Sequence, residues 1–196
     1  MADPKPGAAD ASAEIETKRL SLRPLTPADA PALFEALQAS REPLRRRLSW
    51  VDDVHGVADE EMFILAADEA RERGTAQVCG VFERASGGLL GVASLSPIET
   101  AHASKAELEA WIRVDSQDKG FGAEAARALC EHAFHKLQLH RLYARIDPAN
   151  RPSRKVLKRL HFRYEGTLRE DKKLNGRWVQ QECWGLLRSE WQKQHK

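Results

Sequence analysis

Cysteine is scarce. Cys79, Cys130 and Cys183 are the only three in 196 residues, an odd number with no two close together. That excludes a disulfide framework and the paired spacing of a structural zinc site, and it suits a reducing, cytoplasmic compartment. Net charge is scarce too: 31 Lys and Arg against 29 Asp and Glu leave +2, which gives charge no voice for a nucleic-acid role. No stretch approaches the ~18 consecutive apolar residues of a membrane span. The first ten residues, Met-Ala-Asp-Pro-Lys-Pro-Gly-Ala-Ala-Asp, lack the apolar centre of a signal peptide, so no membrane partner is expected. His102, His132, His135, His140 and His161 fall at no metal-ligand spacing backed by cysteine or carboxylate, and no metal is expected.

What is present is enough for one globular domain with a proper core: 42% hydrophobic and 31% charged residues. A pI near 8.5 allows a modest basic patch around an anionic ligand. Residues 1–14, rich in Ala, Pro and Asp, read as a disordered leader, and 15–196 as a single domain. Arg19–Leu25 alternates and reads as a strand. Thr26-Pro27 reads as an N-cap followed by a first-turn proline, opening a helix that turns Ala32, Leu33, Ala36 and Leu37 inward. A second helix over 58–73 would bury Met62, Leu65, Ala66 and Ala70. Gln77–Glu83 and Leu89–Leu95, joined by Ala85-Ser86-Gly87-Gly88, read as a hairpin. Lys105–Val114 alternates, with Leu108, Ala110, Ile112 and Val114 on one face and Glu107, Glu109, Trp111 and Arg113 on the other.

Ala126, Leu129, Cys130, Ala133, Phe134 and Leu137 recur at helical spacing and predict an amphipathic helix over 121–138. His132 and His135 are assigned to its surface and Cys130 to its buried stripe. A strand over Arg141–Asp147 follows, then a short helix carrying Val156, Leu157 and Leu160, then strands over Phe162–Leu168 and Trp178–Leu187. The layout is mixed α/β.

The chemistry points to one junction. A strand runs into Gln117-Asp118-Lys119-Gly120-Phe121-Gly122 and a long helix starts there. Glycines let the backbone turn tightly and approach a ligand. The unpaired amides of the first helical turn, aided by the helix dipole, then face negative charge. The same residues could make a plain strand-to-helix turn. They match neither the dinucleotide fingerprint nor a Walker sequence.

The downstream segment, Asp147-Pro148-Ala149-Asn150-Arg151-Pro152-Ser153-Arg154-Lys155-Val156-Leu157 and then His161-Phe162-Arg163-Tyr164-Glu165-Gly166, resembles the GNAT acetyltransferase superfamily, and within it the branch that acetylates the N-termini of ribosomal proteins. That family shows an Asn-x-x-Ser step, a Val-Leu pair, a Gly-Phe or His-Phe pair and then Glu-Gly. The resemblance extends to Glu16–Arg19 and Arg23-Pro24-Leu25, to Leu48-Ser49-Trp50, and to Leu187–Trp191. It implies an α/β (α+β) fold with a mixed, mostly antiparallel central sheet splayed around the cofactor and helices on both faces. It implies acetyl-coenzyme A as acyl donor and direct attack by an amine on its thioester.

Carried over residue by residue, the resemblance gives Trp111, Ile112, Arg113 and Val114 the pantetheine arm, through their backbone. Gln117, Asp118, Lys119, Gly120, Phe121, Gly122 and Ala123 receive the pyrophosphate. Asn150 would bond the cofactor near the pantetheine, and Ser153 would sit near the sulfur and protonate the departing thiolate. Lys119, Arg154 and Lys158 could meet the phosphates or lie on solvated faces. A backbone amide near Ile112 would stabilise the oxyanion.

The general base is open. Glu109 or Glu107 could order a water, or both could lie on a solvent-facing strand edge. Where some relatives carry a glutamate after the Glu-Gly step, this chain has Lys172, with Glu170 and Asp171 beside it. Trp50 and the early helices are the expected acceptor wall. The acceptor is expected to be a protein or peptide N-terminus. An aminoglycoside or polyamine is the competing class, kept open by Glu107, Glu109, Asp52, Asp53, Glu170 and Asp171, and a non-catalytic acyl-CoA-binding module is the third. Arg45-Arg46-Arg47 is read as a solvated helix face rather than an RNA contact. A monomer or homodimer is expected.

Overall fold

The computed structural model of the chain describes residues 14–100 and 102–194; the expected leader, through residue 13, lies outside the described residues. Eight strands form one sheet in the order β1-β2-β3-β4-β5-β6-β8-β7. The strands are β1 (Ile15–Glu16), β2 (Leu20–Arg23), β3 (Gln77–Glu83), β4 (Leu89–Glu99), β5 (Lys105–Ile112), β6 (Arg141–Ile146), β7 (Arg163–Leu174) and β8 (Arg177–Leu187). Every pairing is antiparallel except β5 with β6. A parallel neighbour needs a crossover, and α3 (Phe121–His135) supplies it.

Helices cover both faces. On one, α3, α4 (Arg151–Arg159) and α5 (Arg188–Gln194) share a core with the sheet: Leu129, Ala133 and Phe134 meet Leu22, Val81, Leu95 and Leu142, with Leu157 and Trp191 closing the far end. On the other, α1 (Ala30–Arg45) and α2 (Val57–Glu72) pack Leu33 and Ile64 on Phe82, Leu89 and Val92. A one-turn helix over Pro27–Asp29 leads into α1, and Asp29 Oδ2 accepts the Thr26 N–H at 2.8 Å. That carboxylate also takes both Arg23 nitrogens, and the Arg23 guanidinium draws its pKa down to about 2.

Several expectations need correction. In α2, Met62, Leu65 and Ala66 face solvent, while Glu60 and Ile64 are buried. The helix carries apolar residues on more than one side, so its period alone does not choose the buried face; contact with α1 and β3 does. Ala32 of α1 is likewise exposed. His132 is buried, not at the surface, and its Nε2 has no partner. It continues the stripe of Ala125, Ala128 and Leu129 on a helix buried around more than half its girth, and desolvation holds its pKa below the ordinary value. β5 ends at Ile112, and Val114 starts a short 3-10 turn. The sequence pattern stops β7 at Leu168, but its pairing continues to Leu174↔Arg177.

Candidate active site

β5 and β6 pair at Lys105↔Arg141, Ala106↔Leu142 and Glu107↔Tyr143 and then part. β5 stays on β4 as far as Ile112↔Gly91, and β6 stays on β8 as far as Ile146↔Glu182, so a wedge opens between two well-held strands. Successive peptide groups of a strand point to opposite edges. The Arg113 N–H donates to Leu90 O at 2.7 Å, so Leu108, Ala110 and Ile112 turn their peptide groups the other way, into the wedge. There the Ile112 carbonyl accepts a bond from Gln117 Nε2 at 2.8 Å. Ala110 is exposed although its neighbours on the same face, Leu108 and Ile112, are buried; it lies on the wedge floor. Gly91, at φ 154, lets β4 close on this strand: a Cβ there would stand 2.1 Å from Trp111 O.

The wedge opens toward the start of α3. Gly120 caps that helix at φ 84, in the left-handed region that a glycine adopts without strain. The first intrahelical bond is Glu124 N–H to Gly120 O at 3.1 Å, so the amides of Phe121, Gly122 and Ala123 precede any intrahelical acceptor. The turn is braced from the segment joining β1 and β2. Arg19 donates to Lys119 O at 2.9 Å and to Glu124 Oε2 at 2.7 Å, and its guanidinium lies 4.5 Å from the Phe121 ring centroid. Burial works against ionising Glu124, but the bonds from Thr17 and Arg19 outweigh it and its pKa falls. This brace joins residues 105 apart, and no local pattern announces it.

The opposite side of the wedge belongs to β6 and α4. Asn150 is the N-cap of α4, and its Oδ1 accepts the Ser153 N–H at 3.2 Å. Ser153, half-buried, is therefore held in the first turn of α4. Arg154 is not free for phosphates: it donates to Glu182 at 2.7 and 3.1 Å and to Pro148 O at 2.5 Å, which ties α4 to β8. Lys119 and Lys158 are exposed. Arg113 pairs with Asp115 at 2.8 Å and Glu35 at 3.7 Å. The Val114 amide, expected to serve the pantetheine, donates to Ser40 Oγ at 2.9 Å.

Glu107, Glu109 and Trp111 emerge on the α1 and α2 side of β5. Trp111 packs between Leu37, Leu44 and Val51 on one flank and the Leu33–Ile64 core on the other, so its ring is structural on that side. Trp50 stands 40% exposed in the 3-10 turn Ser49–Asp53.

The two glutamates differ. Glu107 is 2% exposed and is forked by Arg145, Nη2 to Oε2 at 2.7 Å and Nε to Oε1 at 3.0 Å. Neither of its oxygens is open to a water, which corrects the expectation that Glu107 could order one as base. Glu109 has solvent access but is crowded by protein. That desolvation, then repulsion from Glu107, raises its pKa, against the opposing pull of Lys172 and Arg145. Arg145 also reaches Asp171 at 3.4 Å. From β7, Lys172 Nζ donates to Arg47 O at 3.2 Å, and from the turn after it Asn175 reaches Arg45 O at 3.5 Å. The β7–β8 hairpin thus touches the end of α1, a contact 125 residues apart that the sequence does not signal. Among the described residues no group of three or more His, Cys, Asp or Glu could hold a metal ion. Among the same residues no helix is long and apolar enough to cross a membrane.

Residues 19–163 match the family model described as "Acetyltransferase (GNAT) domain". The chain is 29% identical over 175 residues to "Probable N-acetyltransferase YjcK" of Bacillus subtilis (strain 168), covering 88% of this chain and 96% of that protein. It is 26% identical over 143 residues to the ribosomal-protein-serine acetyltransferase of Escherichia coli (strain K12), covering 73% and 78%. In fold it is similar to the solved structure of RimL, a ribosomal L7/L12 alpha-N-protein acetyltransferase in complex with coenzyme A. The TM-score there is 0.84 at 22% identity, covering 89% of this chain and 98% of that one. The family model spans most of the chain, and with the divergent β5–β6 pair and the mostly antiparallel eight-stranded sheet it leads to one assignment: the chain belongs to the GNAT acetyltransferase family.

Proposed function

We propose that this enzyme transfers acetyl from acetyl-coenzyme A to a primary amine at a protein or peptide N-terminus, in the cytoplasm. The observation that carries the donor half is the wedge between β5 and β6 opening onto the free amides of Phe121, Gly122 and Ala123. A pantetheine arm can add to the inward-facing peptide groups of β5 as a strand would, while the pyrophosphate takes the helix amides. Lys119 and Lys158 are exposed cations at hand for the phosphates. Relatives named as ribosomal-protein acetyltransferases support a protein acceptor.

The reaction is a direct transfer. The amine nitrogen forms a bond to the thioester carbonyl carbon, and the resulting oxyanion is met by the inward-pointing amide of Ile112. Collapse breaks the carbon–sulfur bond, and the thiolate takes a proton from the Ser153 hydroxyl, which regains one from solvent. The ammonium proton leaves through a water ordered by Glu109. An α-amino group ionises at about 7.7–8.0, so modest assistance is enough, and a carboxylate with a raised pKa matches that task better than an ordinary one. Holding both reactants in line contributes up to about 7–11 kcal/mol.

Charge in the acceptor region argues against polycations. Glu107 and Asp171 are both engaged by Arg145, and Asp52 by Arg45, so half of the six carboxylates that would serve an aminoglycoside or polyamine are already paired. The test is release of free thiol from acetyl-coenzyme A with peptides differing at residue one, alongside polyamines and aminoglycosides. Peptide-dependent release is expected. Release with polyamines alone would transfer the reading to small amines. Thermal stabilisation by acetyl-coenzyme A with no release from any amine would leave a binding module.

A further inference from the structure

The segment that joins α1 to α2 has an anchor that the transfer reaction does not use. Residues 46–56 contain the 3-10 turn Ser49–Asp53, which carries the exposed Trp50. A short 3-10 turn is weakly held by its own backbone bonds, so its neighbours fix its place. Val51 is fully buried in a cluster with Leu37 and Leu44, and Val54 and Trp111 of β5 pack against that cluster. Arg41, half-buried near the end of α1, is the polar anchor. Its Nη1 donates to Val51 O at 2.5 Å and its Nη2 to Val54 O at 2.7 Å, while Nε donates to Gln38 Oε1 at 2.9 Å. A planar guanidinium holds two carbonyls at once in a fixed geometry, which a single ammonium cannot do. The segment also borders Glu109 from two directions. Trp111 lies two residues on from Glu109 along the same face of β5. Lys172, which acts electrostatically on Glu109, donates to Arg47 O at the start of the segment. The place of the turn therefore decides where Trp50 stands relative to Glu109.

Resting on the reading of Glu109 and Trp50 as the acceptor side, we propose that Arg41 is a positioning residue for that side. Its fork on Val51 O and Val54 O sets the place of Trp50 and thereby the fit of the acceptor peptide's first residues. Arg41 touches neither coenzyme nor amine, and no proton or acyl group passes through it. The donor side is held by other means: β4 along β5, Gln117 on Ile112 O, and Arg19 on Lys119 O. Loss of the fork should therefore fall on one substrate and spare the other. Arg41 also opposes the desolvation of Glu60, 4% exposed on α2, so its loss costs stability too, and the test has to separate stability from position.

The test uses the full-length enzyme and whichever peptide, of a panel differing at residue one, the wild type uses fastest. Thiol release is measured at varied peptide and at varied acetyl-coenzyme A, and donor affinity by calorimetry. Arg41→Met should raise the peptide KM about tenfold and leave the KM and Kd of acetyl-coenzyme A unchanged. Arg41→Lys, which can reach one carbonyl but not both, should raise the peptide KM about threefold. Trp50→Ala should raise it as well. Arg41→Met combined with Trp50→Ala should be no worse than the worse single variant, because a displaced turn cannot lose Trp50 twice. If Arg41→Met fails to fold, Arg41→Lys and its combination with Trp50→Ala carry the same comparison. A peptide KM that does not move in the Arg41 variants or in Trp50→Ala overturns the positioning role and leaves acetyl transfer standing. So does a donor KM that moves as far as the peptide KM, or single effects that multiply in the double variant, either of which is what a merely structural arginine gives. Turnover of no peptide by the wild type overturns the N-terminal reading and the positioning role together.

Discussion

The two sides of this cleft are made of different material. The proposed donor side is backbone: inward-facing peptide groups of β5, the amides of Phe121, Gly122 and Ala123, and a left-handed Gly120. The proposed acceptor side is side chain: Glu107, Glu109, Arg145, Asp171 and Lys172, brought from β5, β6 and β7. A backbone site is specified by where the chain turns, so it tolerates substitution at most positions. A charged side-chain site stands only while each buried charge has its partner. Variants of the donor side should therefore weaken acetyl-coenzyme A binding with little effect on folding, and variants of the acceptor side should strike chemistry or stability.

The largest effect is expected from Glu109→Gln. Loss of a general base costs about 10²-fold or more in kcat, and the acid limb of the rate profile between pH 6 and 9 should flatten. In the wild type that limb lies above the ordinary carboxylate range, because the folded chain disfavours the charged form. The same sign applies to stability: with a raised folded pKa, the carboxyl's contribution falls as pH rises through that value. Glutamine removes that loss, so the melting temperature at pH 8 should not drop. Unchanged turnover across the pH range would take Glu109 out of the mechanism.

Arg145→Met comes next. It strands Glu107, whose side chain is 3% exposed, without its partner. Breaking a buried pair costs about 3–5 kcal/mol; Arg145 is 38% exposed, so screening reduces this to roughly 2–3 kcal/mol. For a chain of this size that lowers the melting temperature by roughly 5–10 °C. Adding Glu107→Leu should restore most of it, since an apolar pair can replace a buried ion pair. No recovery in the double variant would mean that Arg145 acts through packing rather than charge.

The contrast also explains what could be read from the sequence. The β3–β4 hairpin, α3 and the glycine turn before it are local patterns, and each stands where the periodicity and the glycines put it. The Glu107–Arg145 fork and the Lys172–Arg47 contact join positions 38 and 125 apart. Arg47 reads as a solvated charge and Glu107 as a candidate base or an exposed strand edge, and the partner of each stays hidden until the sheet order is known. The buried face of α2 was hidden for a related reason: Met62, Leu65 and Ala66 look as apolar as Ile64, and only packing on α1 and β3 selects between them. Gly120→Ala probes the legible half. An added Cβ would have room, 3.4 Å from Arg19 Nη2, so the cost is the left-handed backbone, about 1 kcal/mol. Acetyl-coenzyme A binding should weaken about fivefold, with a melting shift of roughly 2–4 °C. A calorimetric affinity equal to wild type would show that the turn does not shape the pyrophosphate site.

The smallest effect is the sharpest test of the comparison. Arg19 is the one side chain that joins Lys119 O, Glu124 and the Phe121 ring in a single brace beneath the donor loop. Arg19→Lys keeps the charge but loses the planar fork, so the bonds to Glu124 and to Lys119 O cannot both be made. Arg19 is 43% exposed against 19% for Glu124, and pairs with that much solvent contribute little, about 0–1 kcal/mol. Gly120, the free amides and the helix dipole are untouched. The expected outcome is a melting temperature within roughly 2 °C of wild type and an acetyl-coenzyme A affinity about twofold weaker. A fall as large as that of Arg145→Met would mean that the donor loop, too, is held by side-chain charge. The division between a backbone-built side and a side-chain-built side would then fail where it is most easily measured.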